Sequence, residues 1–164
     1  MPSKDDVRQA LDKKGVYGKD IDLERFDEGD KDAVEIADLE SSEYKRYMEN
    51  VGVVANEEGR AGTIMFINNH VSHCSVKEQE GLEIMPLSEA LKKHDWLKDY
   101  YWKAMDPEKD KYTAKAYLEN ADGYFIRAKK GCKIKHPVQS CMMIGTKKGA
   151  QTLHNIIIAE EGAS

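Results

Sequence analysis

Across residues 122–164, short apolar runs alternate with turn-forming residues. The runs are 124–126, 138–144 and 153–159, and the turns are Lys130-Gly131, His136-Pro137, Gly145 to Gly149 and Glu161-Gly162. Apolar runs of roughly four to eight residues between Gly and Pro punctuation read as strands. The spacings are too long for two-residue hairpins and too short for helical crossovers of about a dozen residues. They predict successive coils of a stacked sheet, each strand leaning on its equivalent one coil away. The most apolar strand, 155–159 (NIIIA), falls just before Ser164. A stack stopping there leaves its last hydrogen-bonding edge uncovered. The expectation is therefore a piece whose later coils have been cut away.

The earlier residues pattern differently. Ser3 followed by Asp6 is a helix N-cap with an acid in the first turn. Val7, Ala10 and Leu11 give the apolar stripe, and Gly15 is the expected stop. Residues 19–38 are acidic and weakly patterned, with Leu23 and Phe26 as anchors. Tyr44, Tyr47, Met48 and Val51 recur at helical spacing from about Ser42, and Gly52 ends that helix.

At Gly62 the period changes. Residues 63–67 (TIMFI) form a β-branched and aromatic strand, Asn68-Asn69 a tight turn, and 70–76 the returning hairpin strand. A third short strand covers 82–84, before Pro86. Leu87, Ala90, Leu91, His94, Leu97, Tyr101 and Ala104 then mark one helical face. Asp95 caps a restart in the middle of it, and Asp106-Pro107 closes it. A helix of about ten residues follows, ending near Asn120. Six of the thirteen aromatics lie between residues 96 and 117. That density predicts a helix-on-sheet core, with a partly wet interaction surface as the alternative. The fold class is α+β, divided into a mixed helical region with a small β-hairpin over 1–120 and the opening of the strand stack over 121–164.

Composition narrows the function. Apolar residues at 40% beside 34% charged describe an ordinary soluble chain long enough to bury a core. No apolar run approaches the ~20 residues that span a bilayer. The opening MPSKDD has no apolar segment of a secretory signal. Three cysteines, an odd number, point to free thiols in a reducing compartment, by default the cytoplasm. The net charge is −7 over residues 1–60, −2 over 61–120 and +4 over 121–164. The basic residues of the last segment are dispersed over turns, a poor nucleic-acid footprint.

Candidate chemistry is sparse. His70, His73 and Cys74 form the sharpest cluster. On a strand, alternation sends His70 and Cys74 to one face and His73 to the other. That weakens a metal site and favours a partly buried Cys with hydrogen-bonded histidines. Cys132, His136 and Cys141 lack the Cys-x-x-Cys spacing of a zinc site. Cys132 lies in a turn between Lys130 and Lys133, whose charges would favour a thiolate suited to persulfide or iron–sulfur chemistry. Cys141 reads as core, and His154 as a structural residue beside an apolar run. There is no nucleophile elbow, P-loop or dinucleotide fingerprint, and no carboxylate pair stands out. The expectation is a protein that is not an enzyme. Its metal-ligand candidates are Cys132, Cys74 and His70.

From Gly81 onward several stretches fall in a familiar order: 81–94 (GLEIMPLSEALKKH), 97–101 (LKDYY), 122–127 (DGYFIR), Gly131 six residues before Pro137-Val138, and 154–162 (HNIIIAEEG). In order and spacing they resemble the SufB/SufD family of iron–sulfur cluster assembly proteins, in particular its compact archaeal-type members. The resemblance covers about half the chain. It implies a helical N-terminal domain, a right-handed parallel β-helix, and a C-terminal helical domain that docks the ABC-type ATPase SufC. It further implies pairing with a second SufB/SufD-type subunit through the β-helices, nascent clusters being built at that interface. The family's cluster-assembly residues and SufC-docking helices lie beyond residue 164, so no functional residue transfers to this chain. The expectation is the N-terminal part of a scaffold subunit that on its own binds neither ATP nor a stable cluster. The rival expectation is a small stand-alone metalloprotein using His70, His73, Cys74 and Cys132.

Overall fold

The computed structural model describes residues 1–26, 46, 48–54, 56–77, 79–144 and 148–164. Among them are six strands in two three-stranded sheets. β1 (Gly62–Ile67) and β2 (His70–Val76) form the expected hairpin, with Asn68 at φ 54° in its turn. β3 (Leu82–Pro86) pairs antiparallel with β4 (Tyr124–Ala128). β5 (Val138–Met143) runs parallel to β1, and β6 (Ile156–Ala159) runs parallel to β4. The sheet orders are β2-β1-β5 and β3-β4-β6.

From Tyr124 the chain thus leaves one sheet, adds β5 to the other, and returns to lay β6 beside β4, Phe125 opposite Ile156. This is the alternation that the Gly and Pro spacing predicts for a coiled stack. Both sheets draw strands from either side of residue 120.

Strand alternation explains which side chains are inside. Ile64 and Phe66 of β1 meet Leu82 and Ile84 of β3 and Tyr124 of β4 in a core between the sheets, with Ile126, Val138 and Ile134 against it. Phe125, between Tyr124 and Ile126, faces the other way. There it joins Ile156, Met85 and Ile158 beneath Leu87, Ala90 and Leu97. Leu87 and Ala90 belong to α2 (Leu87–Lys93), and Leu97 to a 3-10 turn, Asp95–Asp99. A helix-on-sheet core is present here, but of the aromatics expected to build it Tyr101 packs against this layer, while Trp96 and Tyr100 are exposed. The helical face does break at Asp95, as read, but not through a cap: His94 is extended, and Asp95 binds Lys98 instead. Beyond Tyr100 the chain is turns, with Trp102 at φ 56°, and Ala104 is exposed.

α1 (Lys4–Gln9) is capped by Ser3, which accepts the Asp6 N–H, and ends in a 3-10 turn three residues before Gly15. Its Val7, with Ala10, packs on Ala114 of α3 (Lys111–Leu118). Asp110 caps α3 through the N–H groups of Tyr112 and Thr113, both at 3.0 Å, and also accepts the Val16 N–H at 3.2 Å. One buried carboxylate therefore starts a helix and ties the N-terminal segment to it. Phe26 is exposed rather than anchoring. Of the helix expected from Ser42, Arg46 and Met48 to Asn50 are helical and Met48 is buried. Its beginning lies outside the described residues, as do residues 145–147 of the expected turn before β6.

Candidate functional site

Gly123 marks where the first layer of the stack receives the next. A Cβ there would overlap the carbonyl oxygen of His154 and lie 2.6 Å from Asn155 Oδ1. With no side chain in the way, the His154 N–H reaches the Asp122 carbonyl at 2.9 Å and the Tyr124 N–H reaches Asn155 Oδ1 at 3.0 Å. These two bonds bring the chain back onto β4. His154 itself is gripped by rings, stacked on Tyr101 at 4.9 Å and tilted against Trp102 at 4.2 Å. Burial lowers its pKa below the ordinary histidine value. It sits beside the apolar run as the sequence placed it, but its Nδ1 is buried without a hydrogen-bond partner among the described residues.

The far side of this layer is exposed. Residues opposite one another in neighbouring strands share a face. Met142 is opposite Phe66, and Ile157 opposite Ile126; Phe66 and Ile126 belong to the inter-sheet core. Met142 and Ile157 therefore continue that core by one layer, yet they are 49% and 65% exposed, with Ile144 at 51%. Ile156, under the helix layer, is 8% exposed. β5 and β6 are each an outermost strand of their sheet, and because the opposite edges, β2 and β3, touch, β5 and β6 lie on the same side. Among the described residues, an apolar inner face is thus left exposed between two unpaired strand edges.

The polar features lie away from this edge. Arg127 donates to Glu160 at 2.7 Å and to Glu83 at 3.2 Å, and its guanidinium lies 4.9 Å from the Trp96 ring. That network fastens β3, β4 and the segment after β6 to the 3-10 turn. Glu57, at φ 57°, lies over the hairpin. It accepts from His73 Nε2 at 2.5 Å and from Ser75 Oγ at 2.8 Å. Burial opposes its charge, but the hydrogen bonds from Ser75 and His73 outweigh it and keep the pKa below the usual carboxylate value. Nothing in the sequence around Glu57 marked this role, because the partners are 16 and 18 residues away on a strand.

The cluster His70, His73, Cys74 needs a correction. A bulge falls where pairing shifts between Met65↔His73 and Phe66↔Val71, and the Ser72 hydroxyl donates to the Met65 carbonyl at 3.2 Å. The extra residue reverses the alternation. His70, opposite Ile67, joins His73 on the outer face, while Cys74, opposite Ile64, turns to the core side. Cys74 is exposed as a residue, but its Sγ is partly covered, donating to the Ile84 carbonyl at 3.7 Å, and that partial burial raises its pKa. Cys132 is half-buried in the turn after β4, where a Cβ on Gly81 would lie 3.3 Å from its sulfur, and neighbouring Lys130 is paired with Glu161. Cys141, in β5, is half-buried rather than core, its thiol also raised by burial. His70, Cys74 and Cys132 are not brought together. Among the described residues, no three His, Cys, Asp or Glu side chains are grouped to hold a metal ion.

Comparison with known proteins decides the family. No family model matches the chain. A protein of Methanothermobacter thermautotrophicus (strain Delta H) named "Iron-sulfur cluster assembly SufBD family protein" is 42% identical over 96% of this chain. The chain belongs to the iron–sulfur cluster assembly SufBD family. A second SufBD family protein, from strain Winter of the same species, is also 42% identical over 96% of the chain. A third, from Archaeoglobus fulgidus, is 36% identical over 73% of it. The chain spans 40% of the length of the two Methanothermobacter relatives and 32% of the Archaeoglobus one. Among the described residues of this SufBD-family chain, no helix is long and apolar enough to cross a membrane.

Proposed function

We propose that this chain opens the strand stack of a scaffold subunit for iron–sulfur cluster assembly. The observation that carries the reading is the uncovered inner face at Met142 and Ile157 between the parallel-paired edges of β5 and β6. In the whole protein, further coils continue the stack as a parallel β-helix and bury these side chains. The scaffold works by contact rather than by catalysis of its own: an ABC-type ATPase of the SufC kind hydrolyses ATP, and a second SufB/SufD-type subunit pairs with it. The cluster is transient cargo, held by residues outside this chain. The setting is the cytoplasm.

Two measurements test the reading. The full-length protein, co-expressed with a SufC-type ABC ATPase, is expected to co-purify with that ATPase, while residues 1–164 alone do not. Anaerobic iron and sulfide reconstitution of residues 1–164 is expected to leave no stoichiometric visible spectrum. A stable cluster on these residues alone would contradict the proposal.

A further inference from the structure

The outer face of the β2-β1-β5 sheet carries a row of soft donors that the assembly reading leaves unused. Met65 of β1 is opposite His73 on one side and Cys141 on the other. Ile64 and Phe66, which flank Met65, face the core, so this row faces outward. Strands in a sheet lie about 4.8 Å apart, which puts an imidazole, a thioether and a thiol side by side. Met65 and Cys141 are half-buried and His73 is accessible.

The histidine is already oriented. Its Nε2 meets the Glu57 carboxylate at 2.5 Å, and Ser75 fixes that carboxylate by donating to it at 2.8 Å. A carboxylate only accepts, so in the neutral ring Nε2 carries the proton and Nδ1 keeps a free lone pair. A carboxylate fixing the tautomer in this way is the usual support of a metal-ligating imidazole. The other two donors decide which metal: thioether and thiolate sulfur select Cu(I) over the harder divalent ions.

We propose that His73 Nδ1, Met65 Sδ and Cys141 Sγ form a three-donor site for Cu(I), with Glu57 as the positioning residue. Binding exchanges the thiol proton of Cys141, released to solvent, for Cu⁺, with no change of oxidation state. Cys74 lies on the opposite face and Cys132 in a turn beyond the other sheet, and neither takes part.

The test uses protein with isotope-labelled methionine methyl groups, titrated anaerobically with Ag(I) as a diamagnetic stand-in. Cu(I) affinity is measured by competition with a chromophoric chelator. Of the seven methionines, the Met65 methyl resonance is expected to shift and saturate at one ion per chain, while that of buried Met48 stays put. Met65→Leu, which keeps the volume, is expected to weaken Cu(I) binding at least about tenfold, and Glu57→Gln by about tenfold. Cys74→Ser and Cys132→Ser are expected to bind as the parent does. A Met65 methyl that does not move at saturation overturns the proposal. So does parental affinity in both Met65→Leu and His73→Gln. Should a variant fail to fold, the methyl shift in the parent still decides.

Discussion

Replacing Gly123 with alanine adds one methyl group where the returning chain crosses β4. It cannot be accommodated by a side-chain rotation, because the group it meets first is the backbone carbonyl of His154. Retreat of the β4 strand is blocked from the other side, where the Leu87 N–H donates to the Gly123 carbonyl at 2.9 Å. The methyl must therefore push residues 154–155 away and break the His154-to-Asp122 and Tyr124-to-Asn155 hydrogen bonds. Two such bonds contribute about 1 kcal/mol each, and overpacking costs about 1–3 kcal/mol. The expected loss is about 3–5 kcal/mol, a large part of the about 5–15 kcal/mol typical of a folded domain. Urea denaturation followed by circular dichroism measures it. Gly59→Ala is the control: Gly59 has φ +65° but open space around its Cβ position, so only about 1–2 kcal/mol of backbone strain is expected. Amide exchange adds the location, with protection lost at Tyr124 and Ile156 and kept in the β1–β2 hairpin. A Gly123→Ala protein as stable as Gly59→Ala refutes the close crossing of the two layers.

Further expectations follow from the same packing. Ile156→Ala should cost about 2–5 kcal/mol in denaturant unfolding, whereas Ile157→Ser, one residue on, should stay within about 0.5 kcal/mol in residues 1–164. Asp110→Ala should cost about 1–2 kcal/mol at neutral pH. Burial opposes the Asp110 charge, but the N–H groups of Thr113, Val16 and Tyr112 outweigh it and lower the pKa. The charge-dependent part is therefore full above the unfolded value of about 3.9 and is lost as pH falls through the folded value, so the gap between parent and variant should narrow in acid. For His154 burial lowers the folded pKa, so the unfolded chain takes up the proton first. Stability should then fall as pH drops below about 6.5, and His154→Phe should lack that component of the slope.

What could be read from the sequence follows from how local each cause is. The hairpin was legible because Asn68-Asn69 sits between two β-branched runs, and β4, β5 and β6 because Gly and Pro separate them. The coil-like return of β6 to β4 was implicit in the same spacing. The pairing of β1 with β5 was not legible: Gly62 and Val138 are partners across the whole helical segment. The bulge at Ser72 carried no compositional mark, and one extra residue sufficed to put His70 and Cys74 on opposite faces. The helical face was followed too far, to Ala104, because Trp102 adopts a left-handed conformation that no Gly or Asn announced. Glu57 escaped notice for a related reason, since its partners in β2 are set by folding rather than by neighbouring residues.

The fold is two facing sheets whose inner face is exposed beside β5 and β6. Cross-strand nuclear Overhauser contacts measure it most directly. Contacts are expected between Ile126 and Ile157 and between Phe66 and Met142, with β5 and β6 in separate sheets. Contacts that pair β6 with β5, or β6 antiparallel to β4, would contradict it.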